Sequence, residues 1–143
     1  MPDLRSPFAH CLRLSVAVIV TAGLLGCGGG SETAPAEISL RRLAKYYGTF
    51  TTIHKGVAPA NEKEFQAFIK SKDAEADFDK LFRSDRDGQP YVVFYLGAAK
   101  ISPDRVIAHE KDGAGGKRFV AFSTTAVREL DEAEFKQAID KRP

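Results

Sequence analysis

The chain has 143 residues, 43% of them hydrophobic and 28% charged, with 21 Lys and Arg against 19 Asp and Glu. These proportions fit one globular domain and exclude a disordered polyelectrolyte, a collagen-like repeat and a multi-span membrane protein. Arg5, Arg13 and Asp3 lie before position 27, which leaves 19 of the basic and 18 of the acidic residues beyond it. That near balance gives no global electrostatic pull toward nucleic acid, which usually needs a clustered basic face, so no nucleic-acid partner is expected.

The first 26 residues read as an export signal. Arg5 and Arg13 precede LSVAVIVTAGLL at 14–25, an uncharged apolar run. A bilayer span needs about 20 apolar residues, and this run is too short to cross comfortably. A basic start, a short apolar stretch and then small residues form the secretory pattern.

Leu24-Leu25-Gly26-Cys27 resembles the lipobox of bacterial lipoproteins. The resemblance implies thioether attachment of diacylglycerol to Cys27, cleavage between Gly26 and Cys27, and acylation of the new amino group. Only Cys offers a side chain nucleophilic enough for such a bond. Two or three acyl chains, at about 0.8 kcal/mol per buried CH₂, anchor stably where one is marginal. The other cysteine, Cys11, lies in the segment to be removed, so the exported domain must stand without a disulfide.

Residues 27–36 are expected to be a tether, with GGGSETAP at 28–35. Eight such flexible residues reach about 15 Å. Gly28 follows Cys27 directly. In the lipoprotein family an Asp there favours inner-membrane retention, so the resemblance implies the outer membrane, facing the periplasm.

A single α+β domain is expected over 37–143. Leu40, Leu43, Tyr47, Phe50 and His54 recur at helical spacing, predicting a helix over 36–55 with Gly48 weakening its middle and Gly56 at its C-cap. Arg41, Arg42 and Lys45 lie off that stripe, on a solvated face or against anionic headgroups. Asn61-Glu62-Lys63-Glu64 reads as a capping box ahead of Phe65, Phe68 and Ile69. A loop is expected over 70–77, then a helical turn bearing Phe78, Leu81 and Phe82.

Ser84 to Pro90 is a turn by composition. Strands are predicted at 91–96 (YVVFYL), 105–111 (RVIAHEK), 117–123 (KRFVAFS) and 126–130, with a glycine-rich hairpin at 112–116. Their short links predict a three- to four-stranded antiparallel meander. Asp131-Glu132-Ala133-Glu134 is a second capping box, with Leu130 and Phe135 as a hydrophobic staple before a C-terminal helix. The two capped segments, EKEFQAFI and EAEFKQAI, look alike through convergent capping.

This order of helix, connecting segment and meander resembles the layout of type II secretion pseudopilins and type IV pilins. Asp87-Gly88-Gln89-Pro90-Tyr91 resembles the entry to the first strand of the major pseudopilin, and 46–68 resembles the end of its helix with the short helix that follows. The chain departs from that family in having no prepilin peptidase site and no long apolar stalk helix, so pilus assembly is not implied. The pattern Phe122-x₄-Val127-x₂-Leu130-x₃-Glu134-Phe135 also resembles small uncharacterised exported lipoproteins, a likeness that implies no activity.

Candidate chemistry is sparse. Asp85-x-Asp87-Gly88 looks like the opening of a calcium loop, but Gln89-Pro90 stands where further ligands belong, so these two are weak metal candidates beside a plain turn reading. His54 and His109 lack a spaced nucleophile or second ligand, and His109 and Glu110 should point to opposite faces of a strand. Gly113 to Lys117 is not a phosphate loop, because a strand follows and Arg118 stands in place of Ser or Thr. With no Trp, stacking platforms for bases or sugars are not expected. No catalytic residue and no cofactor are predicted. The expectation is a non-enzymatic, lipid-anchored envelope module with membrane lipid and an envelope protein as partners. A pseudopilin-like secretion accessory and a small metal-binding or hydrolytic protein are the alternatives.

Overall fold

The computed structural model describes residues 34–97 and 99–140. Cys27, Gly26 and the rest of the signal and lipobox lie outside the described residues. Helices α1 (Pro35–Ile53), α2 (Glu62–Lys72) and α3 (Phe78–Leu81) come first. Strands β1 (Val92–Val93), β2 (Val106–His109), β3 (Lys117–Phe122) and β4 (Val127–Asp131) follow, then helix α4 (Glu132–Asp140). The strands pair in the order β1-β2-β3-β4, every neighbour antiparallel. The α+β class and the meander therefore hold. Among the described residues no helix is long and apolar enough to cross a membrane.

Pro35 occupies the first turn of α1, where its missing N–H and fixed φ cost nothing. Ala36 is fully buried, and the Tyr91 hydroxyl donates to its carbonyl at 2.7 Å. The folded part therefore begins inside the stretch expected to be tether. Leu40, Leu43, Tyr47 and Phe50 are buried along one face, as their spacing predicts, while His54 lies exposed at the C-cap with its ring stacked 4.1 Å from Phe50. The helix closes with Gly56 N–H on Thr51 O and Lys55 N–H on Thr52 O. This is a Schellman motif in which Lys55, at φ 55°, takes the left-handed position usually given to glycine, and Gly56 follows it. Gly48 has a packing reason: a Cβ there would sit 3.3 Å from Thr125 in the β3–β4 turn.

Both capping boxes form. The Asn61 side chain accepts from Glu64 N–H at 2.9 Å, and the Glu64 carboxylate returns to Ala60 N–H, one residue earlier than the usual box. Asp131 accepts from Glu134 N–H, and Glu134 from Asp131 N–H, at 2.9 and 3.0 Å.

The two faces of the sheet are covered unequally. Along β3, Phe119 and Ala121 join the main core with α1, α2 and α3, while Val120 and Phe122 turn to a smaller cluster with Phe135, Ala138 and Ile139 of α4. Burial on both sides explains the continuous apolar run in β2 and β3. The first strand is shorter than the run 91–96 predicts. Phe94 N–H still reaches Ile107 O at 2.9 Å, but its own carbonyl accepts the Tyr47 hydroxyl at 2.8 Å, and the chain then leaves the sheet. The β2–β3 hairpin turns through Gly115 and Gly116, both at positive φ, as a two-residue type I′ connection requires.

Candidate functional site

Ser84 to Pro90 is a turn closed by a bridge between Arg83 and Pro90. Ser84 N–H donates to Gln89 O and Gly88 N–H to Ser84 O, with Gly88 at φ 67°. Within it the Asp87 carboxylate is spent on backbone donors. Gln89 N–H reaches one oxygen at 2.9 Å, and the N–H groups of Asp112 and Gly113 reach the other at 3.0 and 2.9 Å. Burial works to raise its pKa, yet these amides and the Ser84 hydroxyl outweigh it and hold the carboxyl below the usual aspartate range. Asp85 is exposed and accompanies Asp87 in no cluster of three metal-ligating side chains among the described residues. The carboxylate predicted as a weak calcium ligand thus works as a clamp between this turn and the β2–β3 hairpin. Gly113 is required at the clamp: a Cβ there would lie 2.2 Å from Lys117 O.

Beneath the turn runs a polar network that the sequence reading missed. Glu110 is fully buried. Ser84, also fully buried, donates to Glu110 Oε1 at 2.6 Å, and Phe119 N–H donates to Oε2 at 2.8 Å. Arg86 Nε faces Oε1 at 3.6 Å, while the same guanidinium bonds Glu129 at 2.6 Å and the carbonyls of Ala114 and Lys117, and lies 4.3 Å over the Phe119 ring. A buried carboxylate is tolerable only when its lone pairs are taken and a cation is near, and both conditions are met here. The signal in the sequence was a carboxylate at the end of an apolar strand that is buried on both faces.

The two described histidines are engaged in packing. His54 stacks on Phe50 at the end of α1. His109 Nδ1 pairs with Glu110 O at 2.6 Å, and its ring packs against Phe94 and Phe135. Its side chain faces the α4 cluster while that of Glu110 faces Ser84 and Arg86, as strand alternation requires. On α1, Arg41 pairs with Glu37, and Arg42 with Asp73 at 2.6 Å, so two of the three basic residues expected on the solvated face carry acidic partners.

A concavity lies elsewhere, in a groove of ≈ 530 Å³ between the 102–106 segment, β4 and α4. Val106, Phe122, Leu130 and Ala138 give it an apolar floor, and Arg105 and Arg128 stand among its charged residues. Arg128 lies 5.1 Å over the Phe122 ring. Arg105 is half-buried, and its Nε is buried without a hydrogen-bond partner among the described residues. Its charge is felt in the core: burial pushes the Tyr47 hydroxyl far above its ordinary pKa, and Arg105 pulls it part of the way back. Pattern reading missed this groove because its walls come from three separate segments.

No protein-family model matches the chain, and no curated protein or solved structure is significantly similar to it.

Proposed function

We propose that the chain is a lipid-anchored, non-enzymatic binding module of the bacterial envelope, held at the outer membrane and facing the periplasm. The observation that carries this reading is the placement of Leu24-Leu25-Gly26-Cys27 at the end of an uncharged apolar run, with the folded domain opening at Pro35. Only the short glycine-rich stretch from Gly28 to Ala34 separates Cys27 from Pro35 at the helix start. At about 5–6 Å × √n such a linker keeps the domain within roughly 15 Å of the lipid surface. The engagement of Asp87, Glu110 and both described histidines in packing supports binding over catalysis. Membrane lipid, through acylated Cys27, and an envelope protein are the partners in this reading.

Mass spectrometry of the native N-terminus tests it. The expected result is a chain beginning at Cys27 with a diacylglyceryl thioether, and Cys27→Ala should leave the protein unprocessed or released from membranes. A native chain with an unmodified Cys27 overturns the reading. The order of a helix followed by an antiparallel meander favours a second reading, a secretion-system accessory docking through a sheet edge. Secretion and pili unaffected by deletion would end that one.

A further inference from the structure

We propose that the groove between the 102–106 segment, β4 and α4 is a binding site for a small amphipathic carboxylate, an organic acid with a short apolar body and one anionic head. Its volume of ≈ 530 Å³ falls in the range of small-molecule sites. The floor of Val106, Phe122, Leu130 and Ala138 takes the apolar body. The head goes to Arg105, with Arg128 beside it.

The case for an anion rests on a contrast among the three half-buried arginines. Arg86 is ion-paired with Glu110 and Glu129, and Arg118 with Glu132 at 2.7 Å. Arg105 has no carboxylate partner among the described residues; its Nε is buried without a hydrogen bond, as that of Arg86 also is. Of the three, only Arg105 has no counter-charge, and its terminal nitrogens hold no hydrogen bond among the described residues, so they are open to an anion in the groove. A carboxylate matches the guanidinium fork with two parallel hydrogen bonds.

The groove also holds two acidic residues. Glu134 is committed to the α4 cap through Asp131 N–H at 3.0 Å. Asp104 is exposed at φ 62° and forms no ion pair with its neighbour Arg105. Neither is ion-paired with Arg105. The site does not depend on the lipid anchor, so it stands or falls separately from the proposed location.

The full chain in phospholipid nanodiscs, methyl-labelled, is to be titrated with 4-phenylbutyrate, its neutral amide and the matching amine. The expected result is saturable shifts at Val106, Leu130 and Ala138 with the acid, at least fivefold weaker binding of the amide and none of the amine. Arg105→Gln should bring the acid down to the level of the amide, and Arg128→Gln should weaken it less. Equal binding of acid and amide, or shifts confined to other residues, or no saturable shift, overturns the proposal. Should Arg105→Gln fail to fold, the comparison of acid with amide on the unsubstituted chain decides alone.

Discussion

Helices α2 and α4 start from nearly the same sequence and end in different circumstances. Each opens with an acidic first turn and a capping side chain, and each places a Phe at the fourth position and an Ile at the eighth: Phe65 and Ile69 in α2, Phe135 and Ile139 in α4. In α2 both are fully buried, with Phe65 edge-on to Tyr47, Phe50, Phe82 and Tyr95. In α4 no residue is buried. Phe135 is instead half-buried, with His109 at 4.8 Å on one side and the Arg118 guanidinium 4.2 Å over its ring. One position explains part of this. The seventh residue is Phe68 in α2, where it adds an aromatic contact to Phe50 at 5.1 Å, and Ala138 in α4, where the space left beside it belongs to the groove. A helical pattern thus states that a face will be covered, while the partner surface states how deeply.

The comparison can be broken most directly at the paired phenylalanines. Phe65→Ala should cost about 3–5 kcal/mol of global stability, the usual range for emptying a fully buried aromatic site. Phe135→Ala should cost roughly 1–2 kcal/mol, since only part of its surface leaves water. Urea unfolding of both variants checks this, and equal losses would erase the distinction between the two helices.

The sheet on which α4 packs is tied to the 84–90 turn through Glu110. Glu110→Leu removes a buried acceptor from Ser84, Phe119 N–H and Arg86 together, and should cost about 3–5 kcal/mol by stranding them. A loss below about 1 kcal/mol in thermal or chemical unfolding would show that the network is incidental.

Replacing each N-cap sharpens the contrast further. Asn61→Ala and Asp131→Ala should each remove about 1 kcal/mol. In α2 the loss is expected in global unfolding. In α4, which has little burial to hold it, the loss should emerge as faster amide exchange confined to 132–140. The smallest effect concerns pH. The Asp87 carboxyl is held below the usual aspartate range in the folded protein, so its contribution is complete above that range and is lost as pH falls through the lowered value. Asp87→Asn should lower the melting temperature at neutral pH and flatten the acid side of its profile.

Much of this was legible in the chain itself. The α1 stripe, both capping boxes, the 84–90 turn and the order of four strands follow from local periodicity and from turn and cap chemistry, which act over a few residues. The limits of the first strand were not legible, because Tyr47, far away in the chain, takes the Phe94 carbonyl. Nor was the start of the domain read correctly. Proline at the first helical position was the available signal, but what settles it is Tyr91 bonding Ala36 from across the core.

From the amino acids alone came the α+β class, the order of helices and strands, and an N-terminal pattern whose meaning rests on a tetrapeptide ending in Cys27. Those features are governed by neighbours within about one or two turns of chain. Tertiary structure alone decided that Asp87 would clamp a hairpin, that Glu110 would be buried with Arg86, and that Arg105 would be left without a carboxylate beside a groove. Each of those outcomes depends on groups brought together from distant segments, and a charge in a sequence does not reveal which opposite charge the fold will place within its reach.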